Sequence, residues 1–448
     1  MTVTAQQLSF FPDQSNTASP ADRSKNVVRP EDRAFHDWYR FVLSYPPHLV
    51  RRYLAEFDLA PGSAVLDPFS GTGTTVVEAK LAGMVGVGLE ANAFPHFAST
   101  VKTDWRVEPE LLLERAEEAA DKTLSRLQSQ GISDLPSGLA PDVPLRTLDP
   151  AAESILIKNS ISPLPLHKAL VLLDCLREQE SHPFYKYGLL ALGSALVNSI
   201  GNLRFGPEVG VGKKKKDAPV VSPWLAEVRK MAEDIAGVRG QTYLDGHIHL
   251  ADSRSLRQVV AARSIDAVIT SPPYPNEKDY TRTTRLESVV LGFISDKEQL
   301  RALKKTLIRS NTRGVYKEDQ DDAWVEDHDE IQGIADAIED RRIELNKTSG
   351  FERMYPRVTR LYFGGMARHL AEMRSVLKPG AMLAYVVGDQ ASYLRVLIQT
   401  GKLLADIAGS LGYEVARIDL FRTRFATATQ MELREEVVVL RWPGFRVV

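Results

Sequence analysis

Two short stretches of the 448-residue chain have the residue types and spacing to do chemistry. The first, Ser271-Pro272-Pro273-Tyr274, follows directly on the apolar run from Asp266 to Thr270. Proline donates no backbone hydrogen bond, fixes its own φ and pushes the residue before it into an extended conformation, so a strand must stop here in a rigid, non-helical turn. Such a turn offers carbonyl oxygens and one aromatic ring to a planar ligand. The second stretch runs from Asp67 through Pro68, Phe69, Ser70, Gly71, Thr72, Gly73, Thr74 and Thr75, after the apolar Ala64-Val65-Leu66 and before a helix-like segment. Gly71 and Gly73 let a backbone approach a ligand closely, and Asp67 stands at a strand's carboxyl end, where it can meet a cation or a hydroxyl. Glu90 ends the next strand, where one carboxylate can hold both hydroxyls of a ribose, and Asp252 ends the third. The third glycine of a dinucleotide fingerprint and the Gly-Lys-Ser/Thr of a phosphate loop are both missing.

Other reactive residue types read as structural. The one cysteine, Cys175, lies on the apolar face of a helix, where it reads as a small buried hydrophobe, so ring attack by a thiolate is disfavoured. A lone cysteine also excludes a disulfide framework and a multi-cysteine zinc site, and it fits a reducing compartment, with the cytoplasm the expected location. Asp327-His328-Asp329 reads as surface, His247 and His249 as structural, and no metal site is expected.

The run from Val65 to Thr75 resembles the S-adenosylmethionine-binding motif of the exocyclic-amino DNA methyltransferases, and Ser271 to Tyr274 resembles their catalytic tetrapeptide. The likeness covers roughly residues 35 to 100, 245 to 285 and 360 to 445. It implies an α/β fold: a Rossmann-like, seven-stranded class I methyltransferase sheet with helical insertions forming a target-recognition lobe. It implies S-adenosylmethionine as cofactor, held by Asp67, Pro68, Phe69, Gly71, Gly73, Thr74 and Thr75, with Glu90 on the ribose and Asp252 near the adenine. Tyr45, in Ser44-Tyr45-Pro46-Pro47, matches the element that closes over the methionine end. At the catalytic turn, the Pro272 carbonyl and the Ser271 side chain would accept the amino hydrogens of a base, Pro273 would stiffen the turn, and Tyr274 would stack on the extruded base. Serine at the first position is typical of cytosine-N4 enzymes, where adenine-N6 enzymes carry Asp or Asn. Cytosine N4 is therefore the preferred target, with adenine N6, an RNA guanine-N2 activity and a non-catalytic DNA-binding subunit as alternatives. Double-stranded DNA is the expected partner, with room for a cognate restriction endonuclease.

The elements that must position these residues follow from periodicity. Strand, Gly-rich turn, helix and strand alternate from residue 31 to 104, the cofactor-binding part of the core, after a leader over 1–30 whose composition predicts flexibility. Residues 105–245 read as a mainly helical insertion, 246–280 as core with the tetrapeptide, 281–360 as a charged helical insertion and candidate target-recognition segment, and 361–448 as the rest of the core, closing in a hairpin. No apolar run is long enough to span a bilayer. At a net charge of -2 the molecule has no general attraction for nucleic acid, so binding must come from local clusters. The candidates are Lys213, Lys214, Lys215 and Lys216, with Arg282, Arg285, Arg309 and Arg313. The acidic stretch from Glu318 to Glu330 is expected to face solvent or a basic partner.

Overall fold

A computed structural model describes residues 28–40, 44–136, 143–205, 209–276, 278–426 and 430–445. Most of the expected leader lies outside the described residues. Helix α1 (Pro47–Glu56) starts at the second proline of Pro46-Pro47, where a missing N–H breaks no helical bond. Then follow β1 (Ala64–Asp67), α2 (Thr74–Leu81), β2 (Val85–Glu90) and α3 (Ala93–Lys102). The first insertion contributes α4 (Pro109–Ser129), α5 (Pro163–Arg177), α6 (Phe184–Ala195), a small antiparallel pair β3 (Leu203–Arg204) and β4 (Gly210–Val211), and α7 (Val221–Gly237). The core resumes with β5 (His247–Leu250) and β6 (Ile265–Thr270), followed by α8 (Arg285–Val290), α9 (Lys297–Thr306), α10 (Asp329–Glu344) and α11 (Tyr355–Met373). It closes with β7 (Leu377–Gly388), α12 (Thr400–Ser410), β8 (Glu414–Ala426) and β9 (Met431–Arg441).

Seven strands form one sheet in the order β5-β2-β1-β6-β7-β9-β8. The first five run parallel, while β9 is inserted antiparallel between β7 and β8. This is the class I methyltransferase sheet that the motifs imply. Strand residues alternate between its two faces. Leu66, Val268 and Leu383 pack under α11 and α12, and their neighbours Val65, Ile269 and Ala384 pack under α1. Burial on both faces explains the near-continuous apolar strands. The Lys378-Pro379-Gly380 stretch, whose Pro-Gly pair is a turn signal, is absorbed into β7 as an irregularity: pairing with β6 jumps from Ile265↔Leu377 to Ala267↔Met382.

The insertions do not stand apart from the sheet. Helices α4 to α7 share one core with Val77 of α2, Phe94 and Ala98 of α3, and Leu286 and Val290 of α8. The expected boundary at 104 therefore cuts a shared core, which also takes in residues 286–291 of the second insertion, and the boundary at 360 falls inside α11. Residues 28–40 clasp three parts of this assembly. The Phe35 N–H and Trp38 Nε1 donate to Asp234 Oδ2 of α7 at 2.8 and 2.7 Å, His36 Nε2 meets Glu78 of α2 at 2.8 Å, and the Tyr39 hydroxyl donates to Glu287 of α8.

The acidic stretch needs correction. Asp321 is buried and ion-paired to Arg254 and Arg368, and Asp319 pairs with Arg309 at 2.7 Å. Part of the stretch thus neutralises arginines of its own chain. Among the described residues no helix is long and apolar enough to cross a membrane.

Candidate active site

Strands β1, β2, β5 and β6 end together, and the loops leaving them enclose a cleft of about 830 Å³. Ligands of open parallel sheets bind outside the carboxyl ends of the strands. Phe69, Ser70, Gly71 and Glu90 line one end of the cleft, and Ser271, Pro272, Pro273 and Tyr274 the other. Two motifs some two hundred residues apart therefore share one space, because β1 and β6 are adjacent strands.

At the first end, Glu90 accepts the Gly71 and Asn92 N–H groups at 2.9 and 2.8 Å. Burial pushes its carboxyl up to about 7, the two N–H bonds opposing and the charge of Asp67 adding. Ser70 Oγ and Asn92 Oδ1, both on cleft-lining residues, are buried without a hydrogen-bond partner. Pro68 and Thr74 also line the cleft, and Gly73 holds the left-handed conformation (φ 89°) that starts α2. Asp67 is turned inward: Oδ1 accepts the Phe69 N–H at 3.1 Å and the Thr270 hydroxyl at 2.6 Å, and Oδ2 accepts the Tyr45 hydroxyl at 2.8 Å. Tyr45 also bonds the Thr75 hydroxyl, which reaches Ile269 O at 3.0 Å. Asp67 and Thr75 thus tie the Gly-rich turn, Tyr45 and the end of β6 together. Asp252 is likewise committed, both oxygens meeting Arg254, while its neighbours Ala251 and Ser253 line the cleft. Burial lowers the His369 imidazole to about 4, so it is neutral. Its Nδ1 donates to Ser253 O at 2.9 Å, its Nε2 accepts from Tyr385 at 2.7 Å, and its ring supports Phe69.

At the other end, Ser271 Oγ donates its proton to Val386 O at 3.1 Å and shares a hydrogen bond with the Tyr274 hydroxyl, which leaves one of its lone pairs as an acceptor. The Tyr274 N–H donates to the Tyr280 hydroxyl at 3.3 Å and its carbonyl accepts the Asn276 N–H at 2.8 Å, so the turn is braced on both sides. Burial raises the Tyr274 hydroxyl well above the usual tyrosine range, with the Glu435 carboxylate adding, so it stays neutral.

No family model matches the chain. Over 444 residues, covering 92% of this chain and 85% of the relative, it is 23% identical to the type II methyltransferase M.BsoBI of Geobacillus stearothermophilus. This chain is a homologue of the type II methyltransferases. Over 188 residues it is 32% identical to the type II methyltransferases M.AvaI of a Nostoc species and of Anabaena variabilis, covering 40% of this chain and 38% of each relative. A structural superposition on TrmN from Thermus thermophilus covers 93% of this chain and 54% of that one, at 13% identity and a TM-score of 0.30, too low to bear on the fold. The kinship bears out the methyltransferase resemblance of the two motifs, and with it S-adenosylmethionine as methyl donor. The cleft fits that donor: Glu90 suits a ribose diol, Phe69 an adenine face, and the unpaired Ser70 and Asn92 oxygens are ready for polar groups.

Around this methyltransferase cleft the expected DNA-binding residues divide. Arg285 is buried and bonded to Thr281 and to Ile155 O, which lies in the first insertion, and Arg309 is buried and forked onto Asp319 at 2.8 and 2.7 Å. Both guanidinium groups are thus held by partners within the chain, Arg309 while also lining the cleft. Lys215 is similar, its N–H on Asn202 and its Nζ on Ser199 O. Lys213, Lys214, Lys216 and Arg313 are exposed, and Arg282 is half-buried. Sequence reasoning missed Asn311, Arg422, Arg424 and Glu435, all of which line the cleft. Asn311 Nδ2 donates to Lys278 O, in the loop that follows Tyr274, at 3.1 Å, and Arg422 pairs with Glu435 at 2.5 Å. The last three lie on the closing hairpin, where β9 runs beside β7 and Glu435 stands opposite Gly388, a placement that no local pattern announces.

Proposed function

We propose that this chain is a site-specific DNA methyltransferase acting on the exocyclic amino group of an extruded base, with cytosine N4 as the target. One observation carries the reading: the rigid turn from Ser271 to Tyr274 opens into the same cleft as the Gly-rich turn, with the Ser271 oxygen left as an acceptor. The lone pair of a base amine is delocalised into the ring, so the site must favour a pyramidal nitrogen. Acceptors aimed at the amino hydrogens do this, and a prefixed backbone spares them reorganisation. The Ser271 hydroxyl and the Pro272 carbonyl are those acceptors, and Tyr274 supplies a face for the base. When bound, S-adenosylmethionine supplies the methyl group from its sulfonium centre. Asp67 contributes by joining the two turns, since alignment within one cleft provides much of the rate.

Exposed cations of both insertions suit a phosphate backbone. Arg301 and Lys305 of α9 gather round Tyr316, at 5.3 and 5.4 Å from its ring centre, and Lys213, Lys214, Lys216 and Arg313 add to them. The insertion over 281–360, which lines the cleft from Lys304 to Asn311, is the target-recognition segment in this reading. The type II relatives support a cytoplasmic restriction–modification role, with an endonuclease of the same specificity as companion.

Nucleoside mass spectrometry of DNA from cells expressing the wild type or Tyr274→Ala tests this. N4-methylcytosine is expected with the wild type, and roughly tenfold to hundredfold less with the variant, since base–aromatic stacking contributes about 1–3 kcal/mol. N6-methyladenine alone would move the target to adenine. Methylation of tRNA with none of DNA would sink the reading.

A further inference from the structure

Phe351 is unused by the chemistry above. Its ring is 54% exposed, within the stretch 343–351 whose residues all face solvent. The ring is nevertheless presented on a fixed stalk. The Lys347 N–H bonds Arg342 O at 2.9 Å, the Met354 N–H bonds Phe351 O at 3.0 Å, the Ser349 hydroxyl bonds Glu352 at 2.7 Å, and Tyr355 stacks on Tyr393 at 4.8 Å. An exposed apolar ring held in a fixed place is available to a partner that can cover it.

Its surroundings identify what does. The Arg313 guanidinium lies 5.9 Å from the Phe351 ring centre. Arg313 sits between Asn311 and Gly314, which line the cleft, and Asn311 is bonded to Lys278 O in the loop that follows Tyr274. Through Arg313 the ring thus adjoins the segment that lines the cleft. From residue 336 to 357 Arg341, Arg342, Lys347, Arg353 and Arg357 are matched by Asp336, Glu339, Asp340, Glu344 and Glu352; Arg341 pairs with Glu344, Arg342 with Glu339 and Lys347 with Glu352, while Arg313 and Arg353 make no ion pair among the described residues. Ile343 and Leu345, also exposed, lie among these charges. A partner that is anionic outside and apolar between its stacked planes matches an exposed aromatic ring backed by the Arg313 cation.

We propose that Phe351, backed by Arg313, is a positioning residue that enters the base stack at the place the target base vacates. This rests on the DNA methyltransferase reading. Extruding a base forfeits its stacking and pairing, and an apolar side chain inserted at the step restores part of that stabilisation. Phe351 therefore matters only where the target must be pulled from a paired stack.

The test uses the full chain and two oligonucleotide duplexes carrying the site located by sequencing the methylated DNA, one with the target base paired and one with it opposite an abasic position. Phe351→Ala should lower kcat/KM about tenfold or more on the paired duplex and less than about threefold on the other, because an unpaired base is already easier to extrude. Phe351→Trp should stay near wild type on both, and calorimetry should give unchanged S-adenosylmethionine affinity for each variant. Equal loss on the two duplexes, undiminished activity of Phe351→Ala on the paired one, or loss that tracks a change in self-association on sedimentation would overturn the assignment. A wild type that methylates neither duplex would instead remove the reading on which it rests.

Discussion

Glu90 must choose between two charge states near neutral pH. Burial holds its carboxyl at about 7 in the unliganded protein, against the pull of two backbone N–H groups. A diol donates more strongly to a carboxylate than to a neutral acid. The affinity for S-adenosylmethionine should therefore rise as pH increases from about 6 to about 8, the interval in which Glu90 ionises. Glu90→Gln should bind more weakly at the upper end and show no such step, and calorimetry across that interval checks both. A flat wild-type profile would count against Glu90 as the ribose ligand. For the unliganded fold the sign reverses, since a carboxyl raised above its unfolded value of about 4.3 loses stability as pH climbs through its folded value. The turn from Ser271 to Tyr274, Gly71 and Glu90 were legible as cleft residues because type and spacing are local in the chain. The burial of Arg285 and Arg309 was not, since an arginine's freedom depends on acceptors such as Ile155 O and Asp319 that no local pattern announces.

Among the elements, α11 shows how the second insertion is fastened. A Cβ on Gly364 would lie 1.8 Å from Asp321 O and 2.5 Å from Asp321 C, so the helix meets the insertion backbone to backbone. Gly364→Ala must push Asp321 away and strain its bridge to Arg254. We expect a loss of about 1–3 kcal/mol, the usual range for overpacking. Gly333→Ala on α10, where a Cβ meets nothing within 4 Å, should gain up to about 1 kcal/mol from helix propensity. Urea midpoints decide, and equal responses would remove the close approach. Helix and strand periodicity made most elements legible in sequence. The fate of the acidic stretch was hidden, because a charge count cannot reveal that Arg254 and Arg368 wait across the fold.

For the whole molecule, a net charge of -2 means that DNA affinity must be local and sensitive to salt. Replacing Lys213, Lys214 and Lys216 by alanine while keeping Lys215 should weaken DNA binding. It should also flatten the log–log salt dependence by about 0.9 for each phosphate that is no longer neutralised. An unchanged slope in a fluorescence-anisotropy titration would exclude these lysines from the interface. The sheet order carries a further consequence, for biosynthesis. The centre of the sheet is the pair β1 and β6, whose partners Val65 and Ala267 are far apart in sequence, and the Tyr53 hydroxyl donates to Asp419 at 2.9 Å across a still longer separation. The Gly-rich turn therefore leaves the ribosome long before its neighbouring strand exists, with the apolar face of β1 uncovered. Nascent chains have to be shielded through that delay, and a fragment ending before β6 lacks half of the cleft that its own motif is shaped to build.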